Sequence, residues 1–304
     1  MGTPDFAVPT LEALLAGPDE VVGVFTQPDR PAGRGLRLAA PPVKELASAH
    51  GLPVLQPARM KDPEVLPRLR EWRPDLIVVV AYGRILPREV LELPLHGCVN
   101  VHASLLPRWR GAAPIQRALL AGDAMLGVSI MAMEAGLDTG PILSRRVWPV
   151  HGDESGGEMH DRLAKGGGEL LAETVEALQR GGITPRIQPE EGVTYAEKLT
   201  AGDEILLWEN DALQERRRIL ALSPWPGART GLKGERLKVL GCRPGRNGGP
   251  PGTVTALHAD GPEVACGEGS LVLTEVQPAG KRRLSAGEWL RGRPLKEGDR
   301  LQPC

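Results

Sequence analysis

Aromatic residues are scarce in this chain: two Phe, two Tyr and six Trp among 304 residues. A surface that stacks unpaired bases needs a ladder of such rings. None is spaced for one here, and Trp225 and Trp289 are expected to serve a core instead. Cysteine is rarer still. Cys98, Cys242, Cys266 and Cys304 are scattered without CxxC spacing, which speaks against a disulfide framework and a zinc site and for a reducing cytosol. No apolar run approaches the ~20 residues that cross a bilayer, so no membrane partner is expected. The opening MGTPDFAVPT has no basic stretch ahead of an apolar one and is not expected to act as a secretory leader. Phe6 stands where an N-myristoylation site needs Ser or Thr. Neither a G-x-S-x-G elbow nor a P-loop lysine motif occurs, which removes the usual signatures of hydrolase and nucleotide triphosphatase chemistry.

What is present is an alternation of strand and helix. VVGVFT (21–26), DLIVVVAYG (75–83), GVSIMAME (127–134) and PILSRRVWPV (141–150) are apolar enough for strands of a buried sheet. Between them, 8–16, 42–50 and 114–122 carry helical spacing, and 152–182 forms a long helix weakened by Gly166, Gly167 and Gly168. This order predicts an α/β fold, a Rossmann-like, doubly wound, mostly parallel sheet. The sequence opens at the turn that should follow a first strand, so roughly five residues, one short strand, are expected to be missing ahead of Met1. A sheet without that strand is left with an unpaired edge in its middle. From about residue 205 the texture changes to short alternating segments separated by Gly and Pro, which suggests a small β-barrel. The expected domains are 1–180 and 205–304, with 181–204 as linker. The second carries 16 Lys+Arg against 11 Asp+Glu although the whole chain has 37 against 38. A basic third on an acidic body suits a polyanionic partner, or is only a solvated surface.

The stretch 98–114, CVNVHASLLPRWRGAAP, draws attention first. Val99 and Val101 alternate with Asn100 and His102, so the amide and the imidazole share one face of a strand. The chain then leaves through SLLP and restarts as a helix at Pro114. A polar pair at the end of a strand, ahead of a loop and a helix, is where open α/β sheets place their sites. Taken alone, Asn100 also fits a turn former and His102 a structural histidine. Asp138, between Gly136 and Gly140, likewise reads as an ordinary turn residue.

NVHASLLPRWRGAAPIQ, with AYGRILP before it and GLDTGPIL after it, closely resembles the folate-dependent formyltransferases. GTPDFAVPTLEALL, FTQPDRPAGRG and VTYAEKL extend the resemblance, which continues more weakly into LSPWPGA and KRRLSAGEWLRG. The early loop and the extra C-terminal domain point to the branch acting on methionyl-initiator tRNA in translation initiation. The resemblance implies Asn100, His102 and Asp138 as the catalytic set. It implies 10-formyltetrahydrofolate as formyl donor, held by Ser104, Leu105, Leu106 and Pro107 and by a pterin pocket along Tyr82, Gly83, Ile85 and Leu86. It implies an OB-like C-terminal barrel that guides the tRNA, and a tRNA-binding loop carrying Arg30, Arg34 and Arg37, with Arg34 in the GRG element. Phe6 is a candidate wall for the methionine side chain. No metal is implied, and the chain is expected to act as a cytoplasmic monomer.

The chemistry fits these residue types. An α-amino group titrates near about 7.7, so much of it is a free nucleophile at neutral pH. Acyl transfer to it needs a held donor, a hydrogen-bond donor for the developing oxyanion and a manager for the surplus proton. Two rivals remain. A sugar-nucleotide N-formyltransferase or a formylfolate hydrolase shares Asn100, His102 and Asp138, but leaves the basic loop and basic C-terminal third unexplained. A tRNA-binding module with an inactive α/β body leaves the three polar residues unexplained.

Overall fold

The computed structural model describes all residues except 33, 34, 36, 293 and 294. The chain folds as two units. The first comprises Met1–Pro114, Met125–Pro149 and His160–Ala196, and the second Ile115–Ala124, Val150–Met159 and Glu197–Cys304.

In the first unit, strand Ile77–Val79 runs parallel to Cys98–His102. The latter pairs antiparallel with Met125–Ala132, which pairs antiparallel with Ile142–Pro149. Val24–Phe25 and Val54–Leu55 form a second, parallel pair. Met1 and Gly2 knit the two together. Gly2 N–H donates to the Phe25 oxygen and Val80 N–H to the Met1 oxygen. The Met1 ammonium donates to the Val78 oxygen at 2.6 Å. Burial pulls its pKa down to about 5, because the charged form loses its water. Beyond this junction the strands part around a cavity of about 390 Å³, lined by Thr10, Leu14, Val22, Gly23, Leu76 and Val78 among others.

The three glycines of helix Gly156–Gln179 explain themselves by packing. A Cβ at Gly166 would meet the Trp148 ring at 2.3 Å, and one at Gly168 the Pro9 oxygen at 2.7 Å. Each glycine costs about 1 kcal/mol of helix propensity. In return the helix lies flush against strand Ile142–Pro149 and helix Val8–Ala16. Among the described residues, no helix is long and apolar enough to cross a membrane.

The second unit is an antiparallel sheet ordered Val254–His258, Gly261–Ala265, Ser270–Pro278, Glu235–Pro244, Ala228–Leu232 and Leu301–Gln302. Register shifts around Gly241 bend its longest pair. The sheet curls until its outer segments meet at a Thr253–Arg300 bridge. Inside lie Trp208, Ile219, Val239, Leu273 and Trp289. Trp289 is thus a core residue as expected, but Trp225 is not: flanked by Pro224 and Pro226, it is 75% exposed. The buried partner that composition alone did not single out is Trp208, whose indole N–H donates to Thr230 Oγ1 at 3.0 Å.

Candidate active site

Strand Cys98–His102 sets Asn100 and His102 on one face, as its two-residue period requires. His102 is buried and its ring is held between two oxygens. Nε2 lies 2.9 Å from the Trp109 backbone oxygen. A carbonyl only accepts, so Nε2 carries the hydrogen and Nδ1 of the neutral ring presents a lone pair. That Nδ1 faces Asp138 Oδ2 at 3.7 Å. Asn100 Nδ2 approaches Asp138 Oδ1 at 3.5 Å, the outer limit of a hydrogen bond. The three polar side chains, two from one strand and one from the GLDTG loop, therefore converge.

The loop backbones around them are strained. Of the non-glycine residues with positive φ, Trp109 (63°) touches His102 through its backbone oxygen and Asp138 (51°) is one of the three. Such conformations persist only where the surroundings enforce them. At Asp138 the enforcement is visible. Its Oδ2 accepts the Gly111 N–H at 2.8 Å. Its own backbone oxygen accepts from Gln188 Nε2 at 2.8 Å. Gly111 has a φ of 122°, and a Cβ there would meet the Ala196 oxygen at 2.7 Å. That crowding comes from the parallel pairing of Arg110–Gly111 with Tyr195–Ala196.

The residues expected to hold folate divide into side chains that pack and backbone that remains open. Tyr82 and Leu86 belong to the core beneath the sheet, together with Met60 and Phe25. The Tyr82 hydroxyl donates to Met60 Sδ at 3.2 Å, and burial pushes its pKa up to about 12. Leu106 is fully buried, Ser104 nearly so, and Leu105 and Pro107 are half-buried. The turn 104–107 is fixed by Ser129, whose Oγ accepts from Leu106 N–H and donates to the Ser104 oxygen. Gly83 and Ile85 are exposed, Ile85 at 91%. Among the described residues the backbone groups of 83–86 find no partner, and the Arg84 Nε is buried without one.

Arg30 and Arg37 lie on the paired segments Arg30–Ala32 and Arg37–Ala39 and are exposed. Arg34 lies outside the described residues. The hairpin's root is tied down: Lys44 and Gln56 both donate to Asp29, and Gln27 Nε2 donates to the Tyr82 oxygen. Phe6 is buried, edge-on to His160 with ring centroids 5.3 Å apart. Sequence reasoning passed over Gly111, Arg110 and Gln188. The first two lie within the motif and could have been marked. Gln188 sits in a stretch with no periodicity and gave no signal.

Comparison with known proteins identifies the family. Residues 1–175 match the formyl transferase family, and residues 198–294 match the formyl transferase C-terminal domain. The chain is 56% identical over 301 residues to the methionyl-tRNA formyltransferase of Magnetococcus marinus, covering 99% of this chain and 96% of that one. The enzyme of the same name from Halorhodospira halophila is 54% identical over 303 residues, covering 99% and 97%. Among solved structures, HypX from Aquifex aeolicus in complex with tetrahydrofolic acid superposes with a TM-score of 0.61 at 20% identity, covering 84% of this chain and 47% of that one. An identity that high, sustained from end to end, shows that the chain belongs to the methionyl-tRNA formyltransferase family and is a formyl-transferring enzyme.

Proposed function

We propose that the enzyme transfers the formyl group of 10-formyltetrahydrofolate to the α-amino group of methionyl-initiator tRNA, with Asn100, His102 and Asp138 performing the chemistry. The observation that carries this reading is the His102 ring, with its Nε2 hydrogen committed to the Trp109 oxygen and its Nδ1 open toward Asp138. The donor supplies an activated one-carbon acyl group. The amine attacks the formyl carbon and a C–N bond forms. Asn100 directs an amide N–H at the oxygen that gains charge, a contribution of about 3 to 4 kcal/mol when preorganised. The surplus ammonium proton passes to His102 Nδ1. The resulting imidazolium is stabilised by the Asp138 carboxylate. As the bond to the folate nitrogen breaks, that nitrogen takes up a proton, leaving tetrahydrofolate and the formylated amine. No covalent enzyme intermediate is needed.

Support for folate at this place comes from the open backbone of 83–86, with Gly83 and Ile85 exposed, which offers hydrogen-bonding edges to a flat heterocycle. Leu86 and Leu106 are buried. Support for tRNA comes from the exposed Arg30 and Arg37 on a hairpin anchored beside the same segment. The test offers labelled 10-formyltetrahydrofolate to Met-tRNA, an amino sugar nucleotide and water in parallel. Formyl-Met-tRNA as the product supports the reading, and formylation of the sugar alone overturns it.

A further inference from the structure

Gln188 lies between the two stretches that match the formyl transferase domains. It is 7% exposed, and its amide uses its full hydrogen-bonding capacity. Oε1 accepts from Nε and Nη2 of Arg110 at 3.1 and 2.8 Å. Nε2 donates to the backbone oxygens of Asp138 and Gly140, both at 2.8 Å. Arg110 is followed directly by Gly111, the residue whose N–H holds Asp138 Oδ2. One dipeptide thus grips the aspartate twice, through its side chain by Gly111 and through its backbone by the Arg110–Gln188 couple.

Only a primary amide of this length satisfies that arrangement. It must accept on one side and donate twice on the other. A carboxylate would set an oxygen against two carbonyl oxygens. A hydrocarbon would leave the buried Arg110 guanidinium and both carbonyls without partners. The need for a clamp is local: Asp138 has a φ of 51°, and a Cβ at Gly140 would lie 1.8 Å from the Ala132 oxygen. The segment bearing Gln188 is itself secured at both ends. Arg186 exchanges two backbone hydrogen bonds with Ile142, and Thr194 accepts from the Trp109 and Arg110 N–H groups. Loss of the amide therefore releases the loop at 136–140 without releasing the segment.

We propose that Gln188 is a positioning residue for formyl transfer: through Arg110 and the 138–140 backbone it fixes the Asp138 carboxylate opposite His102 Nδ1. This rests on the role given to Asp138 above. A side chain that only held the fold together would give losses independent of Asp138, which sets the experiment. Single-turnover rates and KM values for both substrates are measured for Gln188→Leu, Gln188→Glu, Asp138→Ala and the double variant Asp138→Ala/Gln188→Leu.

Displacing the carboxylate by about 1 Å should lower the rate of each Gln188 variant about 10- to 100-fold, with both KM values unchanged. The double variant should be no slower than Asp138→Ala alone, because the clamp then has nothing to position. A full rate in the Gln188 variants, or losses that multiply in the double variant, overturns the proposal. If Gln188→Leu does not fold, the polar Gln188→Glu carries the same comparison, paired with Asp138→Ala. Undiminished transfer by Asp138→Ala itself would instead remove the role assigned to Asp138, an outcome distinct from failure of the clamp.

Discussion

The His102 ring stands with Nδ1 3.7 Å from Asp138 Oδ2, too long for a hydrogen bond and short enough for an ion pair once the ring is protonated. The carboxylate is therefore set to stabilise the imidazolium more than the neutral ring. Asp138→Asn keeps an oxygen for Gly111 N–H but removes the charge. It should lower kcat by about 10²- to 10⁴-fold, as should His102→Ala. Asn100→Ala should cost about 10²- to 10³-fold. tRNA affinity, measured by filter binding, should stay at the parent value in all three. Normal kcat in any of them removes that residue from the mechanism.

Gly111 offers a sharper probe, because its defect is geometric. Alanine there meets the Ala196 oxygen at 2.7 Å from a backbone with φ of 122°. The strain is on the order of 1 to 3 kcal/mol, and relieving it moves the N–H away from Asp138. Gly111→Ala should fold, with a lowered Tm, and lose at least about tenfold in kcat. A normal kcat beside a lowered Tm would mean that the Gly111–Asp138 hydrogen bond is not needed for turnover.

The convergence of Asn100 and His102 was legible because a strand's period is fixed and both residues fall inside one five-residue strand. The barrel was legible from short segments cut by glycine and proline. Three things were not. The glycines at 166–168 read as a weakness, since nothing local reveals that Trp148 and Pro9 press against them. Trp225 read as core, because hydrophobicity outweighs neighbours in a composition argument, whereas it stands exposed between Pro224 and Pro226. Gln188 read as part of a break, because its partners lie some fifty and eighty residues away along the chain. Long-range hydrogen bonds leave no periodic trace.

The hairpin bearing Arg30 and Arg37 makes a prediction about salt. Each phosphate neutralised contributes about 0.7 to 0.9 to the slope of log affinity against log salt concentration. Arg30→Ala, Arg34→Ala and Arg37→Ala should each weaken tRNA binding and flatten that slope by about one unit or less. Titrations from low to moderate salt measure it directly. A variant whose slope matches the parent does not contact a phosphate through that arginine.

In the second unit two carboxylates tie stability to pH. Glu263 is buried, which by itself would raise its pKa. Hydrogen bonds from Ser270, Asn247, His258 and Arg246 outweigh that and hold it at about 2. Asp203 is likewise held at about 2, first by its hydrogen bond from Arg117 and also by Thr200, against the opposing effect of burial. Both values lie below the 4.5 and 3.8 of the free side chains. The unfolded chain thus takes up protons first as pH falls. The stability these groups contribute, roughly 3 kcal/mol for Glu263 and roughly 2 for Asp203, is complete above about pH 5 and lost as pH drops through about 2. Glu263→Gln should unfold at lower temperature at pH 7, because Gln cannot accept every bond that converges there. It should also show a flatter dependence of Tm on pH between about 5 and 2. If the variant follows the parent's acid slope while Arg117→Met abolishes it, the dependence belongs to Asp203 alone and the Glu263 cluster contributes only packing.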